Sequence, residues 1–242
     1  IAAARGVNHL ELFRQYTTAI ARERGFDLGL SPSPRDRVVP TTSHQREHYG
    51  LRYMMASAPA MRRLKRGNNS RLHGSKNWGA AFLLMEYLSQ HPLPPNRSVL
   101  DVGCGWGLAG LYCRKRFNSA VTASDADPAV FPYLQAQADI NDLTIDTEVW
   151  RFTDVPNDAL AAADTLIASD ICFWDDMAEE VYQLIARAVE AGCGRILIAD
   201  PGRPPFLAVA EACIEDFYAE LVPVRAHTSR PHRGYVLRIE NA

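Results

Sequence analysis

The chain has 242 residues, of which 47% are hydrophobic and 22% charged, and its formal net charge is −2. These fractions exclude collagen-like, disordered and disulfide-scaffold chains, and no apolar run approaches the ~18 residues of a membrane-spanning helix. The near-zero charge conceals a split, because residues 1–97 carry 15 Lys and Arg against 6 Asp and Glu, whereas residues 98–242 carry 11 against 22.

In residues 7–25, Leu10, Phe13, Tyr16 and Ile20 share one stripe, which predicts an amphipathic helix ended by Gly25. Ser31-Pro-Ser-Pro34 and Pro40 mark an extended linker. The stretch 44–76 is rich in Arg and weakly patterned, with Met54, Met55 and Met61 as its apolar content. A helix is predicted over 76–90, with Trp78, Phe82, Met85 and Leu88 facing inward. Pro92-Leu-Pro-Pro95 then punctuates the chain. The expected organisation is a basic, partly helical extension over 1–75 and a second domain over 76–242.

Beyond residue 97 strands and helices alternate. A short buried strand is predicted at 98–102, further strands at 120–124, 145–152, 165–169 and 195–199, and helices at 108–116, 128–140, 177–191 and 205–221. In the third of these helices Met177, Val181, Leu184, Ile185 and Ala188 keep the 3.6-residue period behind an Asp175-Asp176 cap. A closing pair of strands follows at 222–228 and 234–239. This alternation predicts an α/β, Rossmann-like, doubly wound sheet of seven strands, mostly parallel with an antiparallel last strand, the closing pair supplying an antiparallel edge.

Val99-Leu-Asp-Val-Gly103-Cys-Gly105-Trp-Gly107-Leu-Ala-Gly110 holds the most information. A buried strand ends in closely spaced glycines and a helix follows, an arrangement that brings backbone N–H groups close to a ligand. Gly105-x-Gly107-x-x-Gly110 also satisfies the dinucleotide pattern, and Asp125 at the end of the next strand is placed to accept hydrogen bonds from ribose hydroxyls in either nucleotide reading.

Asp101-Val-Gly103-Cys-Gly105-Trp106-Gly107 resembles the first motif of the seven-strand, S-adenosylmethionine-dependent methyltransferases, which carry an acid two residues before the first glycine. Ser124-Asp125-Ala126-Asp127-Pro128 resembles their second motif. The resemblance covers about residues 76–240 and implies S-adenosyl-L-methionine as cofactor. By it, Asp101 lies near the methionine amino end, Gly103, Gly105, Trp106 and Gly107 lie under the methionine and ribose, and Asp125 and Ala126 lie at the ribose. Trp150 or Arg151 is then expected near the adenine. Asp170-Ile-Cys-Phe173-Trp174 after strand four, and Asp200-Pro-Gly-Arg203 after strand five, resemble the nicotinamide-methyltransferase-like branch of protein-lysine methyltransferases. That branch includes the enzymes acting on the electron-transfer flavoprotein β-subunit. Position 173 is Phe where the branch usually has Tyr, and Trp78 corresponds to its usual upstream tryptophan, a further expected cofactor contact.

The resemblance implies methyl transfer to an amine, with a protein lysine as acceptor. Asp170 is the expected group for positioning the arriving ammonium, with a loop-ordering acid or N-cap as its alternative role, and Phe173 and Trp174 the wall of its channel; Asp200 and Arg203 are either further substrate contacts or a pair that fixes the loop after strand five. Alternatives are a small-molecule or RNA methyltransferase on the same scaffold, or a cofactor-binding partner subunit without turnover. Arg62-Arg63-Leu-Lys65-Arg66, with Asn68, Asn69, Arg71 and Lys76 nearby, keeps nucleic acid open as a partner. The cluster either docks on the acidic half of the chain or faces outward to a partner. His44-Gln-Arg-Glu47-His48 matches an inverted zinc-protease motif but lacks an apolar helix to hold it, so a polar surface turn and no metal are expected. Cys172 lacks the flanking pattern of a nucleophile. Five cysteines without a Cys-x-x-Cys pair, and no apolar leader in residues 1–8, lead to an expected place in the reducing cytoplasm, with no membrane partner.

Overall fold

The computed structural model describes residues 44–67, 77–229 and 231–241. The predicted helix over 7–25 and the proline linker lie outside the described residues, as do Asn68, Asn69, Arg71 and Lys76. Among the described residues no helix is long and apolar enough to cross a membrane.

The first elements are strands where a polar turn is predicted. Gln45–His48 (β1) and Leu51–Met54 (β2) form an antiparallel hairpin around the two-residue turn Tyr49-Gly50. His48 is buried and its Nδ1 lies 3.0 Å from the Tyr53 hydroxyl. A strand rises about 3.3 Å per residue, so His44 and His48 stand far apart along β1 and cannot share a metal as they would one helical turn apart. Pro59–Gly67 (α1) follows. Its Met61 packs with Met54, Ala58, Trp106 and Tyr133 in one apolar cluster, and Leu51 and Tyr53 of the hairpin join the main core. The Arg-rich stretch is therefore tied to the sheet domain by its few apolar residues.

Ala80–Gln90 (α2) is buried along most of its length, with Phe82, Met85 and Leu88 inward as predicted. Ser98–Val102 (β3), Leu108–Phe117 (α3), Ala120–Asp125 (β4), Phe131–Asp139 (α4), Asp146–Val149 (β5), Asn157–Ala162 (α5), Thr165–Ser169 (β6), Asp175–Glu190 (α6), Arg195–Asp200 (β7), Pro204–Phe217 (α7), Glu220–Ala226 (β8) and His232–Glu240 (β9) complete the chain. The main sheet has the order β5-β4-β3-β6-β7-β9-β8. Neighbours from β5 to β7 pair in parallel, and β9 runs antiparallel to both β7 and β8. Val99, Val121, Ile167, Leu197 and Val236 join a core with α2 and α3. The intervening Leu100, Leu166, Ile196, Ile198 and Leu237 are also buried, as in a sheet covered on both faces.

The seven-stranded, mostly parallel sheet with the closing strand pair as its antiparallel edge matches the sequence expectation. Within that pair β9 lies next to β7 and β8 is outermost. Val236, Leu237 and Ile239 make β9 a buried strand, while Pro223, which has no N–H to give, suits β8 to the edge. The predicted third strand contracts to the four exposed residues of β5, freeing Trp150, Arg151 and Phe152 from the sheet. Short α5 has no strong sequence signal.

Candidate active site

Strands β3, β4, β5 and β6 end at one edge of the sheet, where the loops that follow them enclose a cleft of about 370 Å³. That volume suits a small organic ligand, and the carboxyl edge of a parallel sheet is where α/β proteins bind one. The floor is the glycine loop from Gly103 to Leu108. Asp125 and Ala126 after β4, and Arg151 and Phe152 after β5, continue it.

Gly107 has φ +72 and opens α3; a Cβ there would lie 2.6 Å from Leu134, so both backbone and packing demand glycine. Gly105, at φ +53, faces open space, with nothing within 4 Å of a Cβ position. Asp125 braces this loop: one carboxylate oxygen accepts from Gly105 N–H at 3.0 Å and the other from Asp127 N–H at 2.9 Å. Burial raises its pKa above the ordinary carboxylate value. Trp106 lines the cleft while stacked almost parallel on Tyr133, with ring centroids 5.0 Å apart.

Asp101 does not line the cleft. It is fully buried beneath the loop, where its carboxylate accepts from Gly110 N–H at 3.0 Å. Burial pushes its pKa up to about 7, against the lowering effect of that bond, and the neighbouring Asp125 raises it further. Trp150 also stays off the cleft surface, its N–H donating to the Asp125 carbonyl at 3.2 Å. Arg151 and Phe152 take the place expected of Trp150 or Arg151.

The opposite wall is aromatic. Phe173 lies edge-on to Trp78 at 5.1 Å and 5.7 Å from Trp174, which is 53% exposed. Behind Phe173 the Asp200–Arg203 pair weighed from the sequence is extended into a clasp by Asp170, which sequence spacing does not reveal. Arg203 Cζ stands 4.3 Å from the Phe173 ring centroid, and its guanidinium bridges Asp170, at 2.7 Å, and Asp200. The other Asp170 oxygen accepts from Ala80 N–H, at 2.8 Å, at the start of α2. Asp170 adopts φ +57, a left-handed conformation that Asp tolerates better than most residues. Asp200 also accepts from Gly202 and Arg203 N–H groups, both at 2.8 Å. Burial alone lowers the Arg203 pKa, but Asp200 and Asp170 together hold it above its usual value.

Asp170, Phe173 and Trp174 thus reach the cleft, whereas Asp200 and Arg203 stand behind it. Sequence reasoning missed Asn77, Phe152, Ser169, Asp176, Met177 and Glu180, all of which line the cleft. Asp176 and Glu180 were within reach, since they lie four residues apart and so share one face of α6. Cys172 is buried, which raises its thiol pKa to about 12 and leaves it inert as a nucleophile. Among the described residues no cluster of three or more potential metal ligands occurs.

Residues 99–192 match the model of a methyltransferase domain. The matched stretch runs from β3 to the end of α6 and contains the glycine loop and Asp170. The chain is 27% identical over 135 residues to the electron transfer flavoprotein beta subunit lysine methyltransferase of Danio rerio, a match covering 53% of this chain and 50% of the relative. It is 28% identical over 127 residues to the histidine protein methyltransferase 1 homolog of Dictyostelium discoideum, covering 49% and 40%. The chain spans about half the length of the curated relatives it matches. In fold it is similar to the ribosomal protein L11 methylase of Lactobacillus delbrueckii subsp. bulgaricus, with a TM-score of 0.51 at 18% identity over 69% of this chain and 81% of that one.

The site fits S-adenosyl-L-methionine, the cofactor implied by the sequence resemblance. Gly105 leaves a cradle that a Cβ would fill, and each Asp125 oxygen keeps a lone pair for a hydroxyl donor. Asn77 Oδ1 is buried without a hydrogen-bond partner among the described residues. Gly103, Gly105, Gly107, Asp125, Ala126 and Trp106 would hold the cofactor.

Proposed function

We propose that this chain transfers a methyl group from S-adenosyl-L-methionine to an amine, with a protein lysine side chain as acceptor. One observation carries the proposal. The glycine cradle shares its cleft with a wall of Trp78, Phe173 and Trp174 that leads to an acidic rim of Asp176 and Glu180. That combination suits a long apolar stem with a cationic end. The named activities of the relatives, lysine and histidine protein methyltransferases, support a protein acceptor.

When bound, the cofactor supplies an electrophilic methyl group, so the protein's task is alignment and a deprotonated amine. Asp176 and Glu180 attract the ammonium to the mouth of the cleft. Trp174, Phe173 and Trp78 sheath the stem, exclude water and favour the cation through their ring faces. A lysine of pKa ~10.4 must shed its proton before it attacks, and the open mouth gives that proton a path to solvent. Asp170 works as a positioning residue: both its oxygens are engaged, one by Ala80 N–H and one by Arg203, which anchors Phe173. The reducing cytoplasm remains the proposed compartment, supported by five cysteines that are all free thiols.

Incubation of the chain with isotopically labelled S-adenosylmethionine and a cell extract tests the proposal. Label that resists nuclease, yields to protease and maps to lysine by mass spectrometry is expected. Label in RNA, in a small molecule or on histidine overturns the lysine assignment.

A further inference from the structure

Helix α1 carries Arg62, Arg63, Lys65 and Arg66 and no acid. Its orientation is set by Met61 and Leu64, which face Trp106 and Tyr133, so all four cations are exposed. None of the four forms an ion pair among the described residues, whereas Arg52, Arg97, Arg195, Arg203 and Arg238 are each paired with an acid. The α1 cations therefore do not dock on the acidic half of the chain within the described structure. Arg62 and Arg66 stand at i,i+4, and Arg62 with Lys65 and Arg63 with Arg66 at i,i+3, spacings at which like charges weaken a helix. Such a ridge works against the folding of its own helix.

Its position relates it to the cleft. Met61 packs against Trp106, which lines the cleft, so the ridge backs onto one wall while Asp176 and Glu180 edge another. We infer that α1 is a docking ridge for an acidic protein surface, and that the methyl-accepting lysine lies among acidic residues of its substrate. The inference rests on the lysine acceptor proposed above and names the surroundings of that lysine. A lysine end drawn to the acidic rim, with its acidic flanks held by α1, satisfies both charges at once. RNA fits less well, because the acidic rim repels phosphates and α1 has no aromatic side chain for base stacking.

The test compares three fluorescent probes: a short peptide with one lysine between acidic residues, the same peptide with serine and glutamine in their place, and a single-stranded RNA of equal length. Each is titrated against the wild-type chain and a fourfold variant, Arg62→Ala, Arg63→Ala, Lys65→Ala and Arg66→Ala; alanine keeps the helix propensity high. The acidic peptide is expected to bind the wild type most tightly. The variant should lose about 5- to 30-fold in affinity, the combined effect of four exposed charge pairs. That loss should appear in KM, with kcat and cofactor affinity unchanged. Raising salt past ~0.15 M should weaken wild-type binding in parallel, a readout independent of any variant.

Equal binding of the two peptides, no effect of the fourfold variant, or preferred binding of RNA overturns the ridge. Equal methylation of both peptides, insensitive to α1, leaves the lysine acceptor standing and removes the ridge. Binding of the acidic peptide that depends on α1, without methylation of its lysine, keeps the ridge and removes the lysine acceptor.

Discussion

Replacing Asp170 with Asn removes one charge from the clasp behind Phe173 and little else. The amide oxygen still accepts from Ala80 N–H, and Asn tolerates the left-handed backbone at φ +57. Arg203 loses one carboxylate but keeps Asp200. Removing a partner from a buried ion pair costs about 3–5 kcal/mol when the remaining charge is left alone, so with Asp200 retained a loss of about 2–3 kcal/mol is expected. At roughly 2–4 °C per kcal/mol for a chain of this size, Tm should fall by about 4–12 °C in a thermal melt. Asp170→Ala also orphans the Ala80 N–H and places Ala at a positive φ, which adds about 2–4 kcal/mol. Turnover in the Asn variant should drop through kcat, because the Phe173 wall loosens, with the KM for cofactor nearly constant. Arg203→Met should lower turnover in the same way, and the double variant should show a coupling energy of about 1–3 kcal/mol with Asp170→Asn. Unchanged Tm together with abolished turnover would refute this reasoning, for Asp170 would then act on the substrate directly and not through the wall.

The two loop glycines should respond in opposite ways. Gly105→Ala, whose methyl meets no protein atom, should keep Tm within the strain of about 1–2 kcal/mol for a left-handed residue while S-adenosylhomocysteine affinity falls in calorimetry. Gly107→Ala adds a clash with Leu134 and should lower Tm by a further roughly 1–3 kcal/mol equivalent. The reverse order would remove the cradle. Asp101 sets a pH dependence of unusual sign. Its folded pKa, about 7, exceeds the ordinary 3.8, so the native state holds a proton that the unfolded chain releases between pH 4 and pH 7. Stability from this group therefore falls as pH rises through that window. Asp101→Asn should gain stability relative to wild type by roughly 1.4 kcal/mol per pH unit there, measured by denaturant unfolding at several pH values. A difference that is flat with pH would mean that Asp101 titrates normally. Phe173→Leu removes the ring beside Arg203 and should cost about 0.5–2 kcal/mol, whereas Phe173→Tyr should restore both Tm and turnover; failure of the Tyr variant would show that ring identity, not the stacked contact, is what matters.

Local sequence determined the elements whose causes are local. The apolar runs of β3, β6 and β7 could only be buried strands, and the glycines between Gly103 and Gly110 could only turn tightly into a helix. The acids at 101 and 125 stand at strand ends beside the glycine turn, and the cofactor class came from the resemblance of those motifs to a known family. The tertiary structure decided whatever depended on which side a residue turns or which distant group meets it. Trp150 and Phe152 differ by two positions, yet the early end of β5 takes the chain out of the two-residue alternation and sends Phe152 to the cleft. Insertion of β9 between β7 and β8 reflects competition among strands for the buried position, which no single segment encodes. His48 looked polar in its segment and became buried because β2 and α2 supplied Tyr53 and Phe82 around it. Asp170 and Arg203 are 33 residues apart, and their union depends on two loops meeting at the sheet edge. Sequence spacing carries information over a turn or two of chain, whereas burial and charge pairing are settled by the three-dimensional neighbours that only the folded sheet brings together.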